Sequence, residues 1–248
     1  MPRNPLDFHY RAQLIERMDE PCSRGQLRGC LRDIARINRW TLAYRPVLQW
    51  LNTFADRFQD SMPASEEPLR ILDVGSGYGD GLRRIEQWAM ARRIAVELTG
   101  LDLNPDATSI AEEASPAASN IHWVSADVFC YAPAQPFHLV VSSLFTHHLA
   151  EDEIVRFLLW MERYAQLGWF INDLSRAPIP YHAIRVFAKL AQLHPFVQYD
   201  APVSIARSFV PGEWRAMCAA AGLGDRDVLI QSFRPARLCV SRRKLPQV

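Results

Sequence analysis

The sequence has no long apolar run and almost no excess of charge. Its 248 residues contain 28 Lys and Arg against 27 Asp and Glu, a formal net charge of +1. This balance gives no electrostatic case for nucleic-acid binding, which favours basic surfaces. The sequence has no run of about 18 apolar residues that could span a bilayer. Its first residues, MPRNPLDFHYR, lack the apolar core of a signal peptide. We therefore expect a cytoplasmic protein with no membrane span and no nucleic-acid partner.

Cysteine is scarce and scattered. The five cysteines are odd in number and never occur as C-x-x-C. This excludes a disulfide framework and a cysteine-based zinc site. The chain does have 49% hydrophobic residues, enough for the core of one medium-sized enzyme domain.

The most informative stretch is RILDVGSGYGD, residues 70–80. Apolar residues up to Val74 predict a strand, the glycines a tight turn, and the spacing after Asp80 a helix, an order that suits a nucleotide-like ligand. A dinucleotide fingerprint, G-x-G-x-x-G, would need its third glycine where Asp80 stands. Carboxylates at Asp73 and Asp80 would repel a pyrophosphate but attract a ligand that carries ammonium and sulfonium groups.

The pattern D-x-G-x-G-x-G resembles motif I of the class I S-adenosylmethionine (SAM) dependent methyltransferases. The resemblance implies SAM as cofactor, S-adenosylhomocysteine (SAH) as product, and an α/β fold. That fold is a seven-stranded Rossmann-like sheet, mostly parallel with the last strand antiparallel, with helices on both faces. The resemblance also implies cofactor contacts from the motif residues, which are Asp73, Gly75, Ser76, Gly77, Gly79 and Asp80.

Three other interpretations of this motif remain open from the residues alone. One is an ordinary strand–turn–helix corner of another α/β protein. The second is an NAD-dependent oxidoreductase, which Asp80 disfavours. The third is a SAM-binding protein without transferase activity.

The second predicted strand, residues 96–102, ends in an acid. Leu103, Asn104 and a helix from about Asp106 follow. An acid at this strand end can accept hydrogen bonds from both ribose hydroxyls. We therefore predict that Asp102 binds ribose, with Leu103 and Asn104 beside it. A helix N-cap role for Asp102 is the alternative.

The third predicted strand, residues 121–124, leads to Ala126, Asp127 and Val128. In the methyltransferase family an Asp in this place is similar to the one that accepts a hydrogen bond from the adenine amino group, with apolar neighbours against the ring. Asp127 could equally be a turn residue.

Two histidines follow the fourth predicted strand, residues 137–141. Because ligands in a doubly wound sheet bind beyond the carboxyl ends of the strands, Ser142 and the residues after it should face the methyl donor. His147 and His148 are the best general-base candidates, since histidine titrates near neutral pH; capping or orienting the next helix is the alternative. The segment partly resembles the L-H-H-L of methyltransferases that act on quinone precursors, with Thr146 in place of the first leucine.

The fifth predicted strand, residues 169–171, ends in Asn172 and Asp173. Asp173 is a second base candidate or the partner that orients a histidine, and helix capping is the alternative. Catechol-type methyltransferases hold magnesium with an aspartate after the fourth strand, where this chain has Ser142 and Ser143. Because magnesium requires oxygen ligands of this kind, the sequence predicts no metal.

The flanking segments are predicted to shape the acceptor pocket. Residues 1–60 read as helical, with a capping box at Ser23 and Gln26 and a second helix near Pro46. We interpret them as a lid, with cover of a sheet edge or a homodimer contact as alternatives. A linker at 61–68 precedes the core, 69–248, in which an aromatic-rich insertion at 175–210 either builds the pocket or packs in the core.

These observations predict a SAM-dependent methyltransferase with a small-molecule acceptor. The chain resembles methyltransferases of quinone biosynthesis and secondary metabolism. The resemblance favours O-methylation of a phenolic, quinol or polyketide-like hydroxyl, because such a hydroxyl needs only modest help to lose its proton. C-methylation of an activated ring carbon is the alternative.

Overall fold

Strands and helices alternate along this chain. The computed structural model describes residues 6–61 and 67–244, without the side chains of residues 56–61. Most of the predicted linker, residues 62–66, lies outside the described residues. The strands are β1 Leu69–Val74, β2 Val96–Asp102, β3 Ile121–Ser125, β4 Phe137–Ser143, β5 Ala165–Leu174, β6 Val228–Phe233 and β7 Arg237–Arg243. The α-helices are α1 Arg24–Trp40, α2 Arg45–Ser61, α3 Asp80–Arg92, α4 Pro105–Glu113, α5 Glu151–Tyr164, α6 Pro178–Leu190, α7 Pro195–Arg207 and α8 Pro211–Ala220.

The seven strands form one sheet in the order β3-β2-β1-β4-β5-β7-β6. Neighbouring strands from β3 to β5 are parallel, whereas β7 is antiparallel to both β5 and β6. This confirms the predicted sheet, mostly parallel with the last strand antiparallel. The strand order reverses between β1 and β4, and a ligand crevice is expected beyond the carboxyl ends of these strands.

Helices cover both faces of the sheet because alternate strand residues point to opposite sides. On one face, Leu72 and Val140 pack in a core with the apolar sides of α5 and α8. On the other face, Ile71 and Leu139 pack with α2 and α3. The second predicted N-terminal helix, α2, is therefore a core helix of the sheet, and it begins one residue before Pro46.

Local sequence signals explain where the other elements begin. The predicted capping box of α1 is present, with Ser23 and Gln26 bonded to each other's backbone. The predicted insertion forms α6 and α7. Strand β5 begins at Ala165, four residues before the predicted start, because it pairs with β4 from Phe137 onward, with a register shift between Phe137 and Leu139. No helix of the described part of the chain is long and apolar enough to cross a membrane.

Candidate active site

A cavity of about 910 Å³ opens at the carboxyl ends of the parallel strands, where the strand order reverses. Helix α1 and the inserted helices α6 and α7 form its other walls. Ten of the thirteen predicted cofactor-binding residues line it: Gly75, Ser76, Gly77, Asp80, Asp102, Leu103, Asn104, Ala126, Asp127 and Val128. The predicted residues from three strand ends are thus brought to one cavity.

Two positions of the turn after β1 require glycine, because a side chain at each would meet a different aromatic ring. Gly75 has φ +71°, and a Cβ there would lie 2.8 Å from the Phe145 ring. Gly79 has φ +72°, and a Cβ would lie 2.2 Å from the Trp123 ring. Positive φ strains any other residue type. The turn therefore follows its observed path because side chains are absent at these positions.

Asp102 joins the end of β2 to this turn. Its Oδ2 accepts a hydrogen bond from the Gly77 N–H at 2.9 Å, and its Oδ1 accepts one from the Asn104 N–H at 2.9 Å. Burial raises the pKa of Asp102, against the opposing effect of these two N–H donors. Each carboxylate oxygen retains a further acceptor position toward the cavity.

The neighbouring polar residues at the strand ends also serve local turns. Asn104 caps α4 through a hydrogen bond from the Asp106 N–H to its Oδ1 at 2.9 Å. Asp127 Oδ1 accepts a hydrogen bond from the Phe129 N–H at 2.9 Å. The predicted turn role of Asp127 is therefore present, and the side chain still lines the cavity.

Asp73, Gly79 and Ser142 do not line this cavity. Asp73 is buried beside a smaller cavity of about 50 Å³ under the turn, which Asp80 also lines. Burial raises the pKa of Asp73 well above its ordinary value, and the carboxylates of Asp80 and Asp102 raise it further. Ser142 is buried and its hydroxyl donates to the Val74 carbonyl at 2.9 Å.

The predicted base candidates lie in a short 3-10 helix, Thr146–His148, after β4. His147 is buried, and its Nδ1 lies 2.8 Å from Asp173 Oδ1. The other Asp173 oxygen accepts hydrogen bonds from the Thr146 hydroxyl at 2.5 Å and the His147 N–H at 3.0 Å. Burial alone would raise the pKa of Asp173, but His147 and these donors hold it below its usual range.

His148 is the more accessible of the two histidines, with 27% of its side chain exposed. Its Nδ1 lies 3.1 Å from Asp19 Oδ1. Burial opposes ionisation of Asp19, yet His148 and Arg207 lower its pKa to about 2. Both histidines therefore have a carboxylate at Nδ1 and present Nε2 on the other side of the ring.

Glu16 lies near both of these Nε2 atoms, and the sequence analysis did not predict it as a site residue. Its Oε1 is 3.6 Å from His147 Nε2, and its Oε2 is 4.0 Å from His148 Nε2. Burial raises the pKa of Glu16 to about 7. No motif marks this residue, because it comes from an irregular segment near the N-terminus that reaches the site only in the folded chain.

The N-terminal segment is held in place by its contacts with α7 and the histidine turn. Arg11 donates to the Arg207 carbonyl through Nε and to the His147 carbonyl through Nη2, both at 2.6 Å. The Arg17 N–H donates to Asp200 Oδ1 at 2.8 Å. Glu16 therefore enters the site on a segment with several tertiary hydrogen bonds.

The rest of the cavity wall is largely apolar. Helix α1 contributes Leu27, Leu31, Ile34 and Ile37. At the outer end the Trp40 and Phe187 rings meet edge to face, with centroids 5.5 Å apart. Among the described lining residues Arg237 is the only Lys or Arg, against seven acids: Glu16, Asp19, Asp80, Asp102, Asp127, Glu153 and Asp200.

Part of this chain is similar to known methyltransferases. Residues 71–168 match the family described as a methyltransferase domain. A trans-aconitate 2-methyltransferase from Streptomyces avermitilis is 34% identical over 119 residues, which cover 46% of this chain and 42% of that protein. The match thus spans less than half the length of this curated relative.

Solved structures share the fold. A plantazolicin methyltransferase in complex with SAH superposes with a TM-score of 0.61 at 14% identity, over 89% of this chain and 96% of that one. Human N-acetylserotonin methyltransferase in complex with SAM gives a TM-score of 0.61 at 13% identity, over 90% of this chain and 56% of that one. Residues 71–168 thus match a methyltransferase domain, and the chain shares its fold with these SAM- and SAH-bound methyltransferases.

Proposed function

We propose that this protein transfers a methyl group from SAM to a small-molecule acceptor, most favourably to a phenolic, quinol or polyketide-like hydroxyl. The observation that carries the proposal is one cavity that holds both the glycine turn with Asp102 and the histidine pair. The bound cofactor would supply an electrophilic methyl group on a sulfonium. The chain's own residues would bind, align and desolvate the reactants.

The cofactor half of the cavity suits a nucleoside with a cationic tail. Asp102 has acceptor positions left for ribose hydroxyls, and Asp127 lies between apolar Ala126 and Val128 as an adenine site requires. Asp80 lines the cavity beside the turn, where its carboxylate suits an ammonium group. We assign Asp73, Gly79 and Ser142 supporting roles behind this surface, because they do not line the cavity.

The acceptor half of the cavity suits an uncharged apolar molecule. The curated relative is named for trans-aconitate, a tricarboxylate. Beyond the three acids assigned to the cofactor, the described cavity lining has four acids, Glu16, Asp19, Glu153 and Asp200, and a single arginine, which is electrostatically unfavourable for a tricarboxylate. Walls from α1 and α6 instead offer Ile34, Ile37 and Phe187 to a flat or long apolar acceptor. In this proposal α1 is the part of the predicted lid that covers the acceptor.

The polar end of this half is the histidine pair, where we place the reacting hydroxyl. Asp173 and Asp19 engage the Nδ1 atoms, so a neutral imidazole carries its lone pair on Nε2 and can accept a hydrogen bond from the acceptor. His148 is the accessible partner of the acceptor, while Asp173 positions His147. Transfer of the hydroxyl proton toward this cluster would leave the oxygen free to attack the methyl group.

Calorimetric titration tests the cofactor assignment. The full-length protein is titrated with SAM, SAH, NADH and NADPH. Selective binding of SAM and SAH supports the proposal, and a screen of phenols and quinols then tests transfer. Binding of the nicotinamide cofactors alone would instead indicate an oxidoreductase. SAM binding without turnover on any acceptor class would favour a non-catalytic SAM-binding protein.

A further inference from the structure

We propose that Glu16, His147 and His148 form a binding site for a divalent transition-metal cation. One ligand atom from each residue can be chosen so that all three lie within 4.8 Å of one another. The Glu16 carboxylate is 3.6 Å from His147 Nε2 and 4.0 Å from His148 Nε2. These separations require only small side-chain movements to place all three atoms about 2 Å from one ion.

The second observation is the pair of carboxylates behind the histidines. Histidines that bind metals almost always donate the other ring N–H to a carboxylate, a carbonyl or water. Here Asp173 lies 2.8 Å from His147 Nδ1, and Asp19 lies 3.1 Å from His148 Nδ1. Both rings are therefore oriented with Nε2 free to bind a cation, and they come from adjacent positions of one turn.

Glu16 has a free oxygen on the same side. Its Oε1 accepts a hydrogen bond from the Ser204 hydroxyl at 2.9 Å and lies 3.6 Å from Arg207 Nη1. Its Oε2 accepts no hydrogen bond among the described residues, and 4.0 Å to His148 Nε2 is too long for one. Oε2 thus belongs to a buried side chain, has no donor among the described residues and faces the His148 imidazole.

Carboxyl groups also lie close to the cluster. Asp19 and Asp173 each contact one of the imidazoles, and Arg11 and Arg207 lie beside them. A cation bound to the two imidazoles would therefore lie close to two further carboxylates. Arg207 already pairs with Asp19 Oδ2 at 2.9 Å, so it does not fill the space between the imidazoles.

The ligand types indicate which metals fit. Two imidazole nitrogens and one carboxylate oxygen suit zinc, iron, cobalt or nickel better than magnesium. The sequence predicted no metal, because no carboxylate follows β4 where catechol-type enzymes hold magnesium. The present proposal departs from that prediction and uses different residues. Three protein ligands leave positions open on the cation.

This inference deepens the proposed function, and its catalytic consequence rests on that function, whereas cation binding does not. An acceptor hydroxyl bound at the open position would lose its proton to water more readily. The oxygen–carbon bond would then form as the sulfur–carbon bond breaks, and no oxidant or reductant is consumed. With no cation bound, the Nε2 atoms accept the hydroxyl hydrogen bond directly.

The test uses full-length protein stripped with a chelator and titrated with Co²⁺, followed by its visible absorption, and with Zn²⁺ by calorimetry. We expect one Co²⁺ per chain, and a more than about tenfold loss of affinity in Glu16→Gln and His148→Ala. His122→Ala removes an exposed histidine from β3 and is the matched control. A cobalt spectrum unchanged by His148→Ala, or no binding to the wild type, would overturn the proposal.

SAM titration separates this outcome from failure of the proposed function. A variant that binds SAM normally but has lost Co²⁺ has kept its fold, so its loss is local to the cluster. Cobalt binding that depends on His148 in a protein that does not bind SAM would support the metal site and contradict the methyltransferase proposal. Equal turnover in chelated and cobalt-loaded enzyme would overturn the catalytic consequence and leave the binding result standing.

Discussion

The Asp102 carboxylate accepts a hydrogen bond from the Gly77 N–H at 2.9 Å, which joins the end of β2 to the turn after β1. This contact shapes the turn, and the same carboxylate lines the large cavity. Asp102 therefore has a structural and a binding role that different substitutions can separate.

Replacing Asp102 with Ala should lower the affinity for SAM by about tenfold or more, since a hydrogen bond to a charged group contributes about 1.5–3 kcal/mol. Asp102→Asn keeps one carbonyl oxygen and should lose less. Calorimetry with SAM measures both. Asp106→Asn, two residues beyond Asn104 on α4, is the control, and an equal loss in that variant would argue against a specific ribose contact.

Asp73 should make the protein less stable as the pH rises. Its ordinary pKa is 3.8, and burial first, then Asp80 and Asp102, raise it well above that value in the folded state. Between the two values the folded protein keeps a proton that the unfolded chain has lost. The stabilisation by this group is therefore full below pH 3.8 and is lost as the pH rises through the folded pKa.

Urea unfolding of the wild type and Asp73→Asn between pH 4 and pH 8 checks this expectation. Relative to the wild type, the free energy of unfolding of the variant should increase with rising pH, by about 1.4 kcal/mol for each unit by which the Asp73 pKa is raised. Other titrating groups are common to both proteins and cancel in the difference. If the free energies of unfolding of the two proteins instead change in parallel with pH, burial does not disfavour the ionised form of Asp73.

Gly79 should tolerate no side chain, whereas Gly212 should. Gly79→Ala combines a positive φ with a Cβ position 2.2 Å from Trp123, and should destabilise by at least about 1–3 kcal/mol. At Gly212, in the first turn of α8, a Cβ meets nothing within 4 Å. Gly212→Ala should therefore be neutral or stabilising by up to about 1 kcal/mol. Thermal unfolding of both variants compares them, and equal melting temperatures would contradict the prediction.

The sheet and its cavity edge were predictable because each depends on neighbours in the sequence. Apolar strands followed by Asp102 or by the glycine turn predict both the element and its ligand end. Ser142 illustrates the limit of such patterns, since the two-residue period of β4 directs its hydroxyl to the Val74 carbonyl and leaves Ser143 at the cavity. Predicting which of these two adjacent serines faces the cavity requires the exact position of the end of β4.

Contacts distant in sequence could not be predicted. Glu16 reaches His147 only because Arg11 and Arg17 bind the segment to the histidine turn and α7. No local periodicity encodes such an approach. The same reason applies to the helical lid: α1 and α2 have similar amphipathic patterns, yet α2 packs on the sheet and α1 lines the cavity.

Trp40 should affect the acceptor without affecting the cofactor. It lies at the end of α1, half exposed, against the Phe187 ring of α6. For an apolar acceptor, Trp40→Ala should raise KM about tenfold, equivalent to about 1.4 kcal/mol of lost contact, and leave the affinity for SAM unchanged. Leu159→Ala truncates a half-exposed apolar residue on α5 outside the cavity lining and should change neither. A fall in SAM affinity in Trp40→Ala would instead assign α1 to the cofactor half of the cavity.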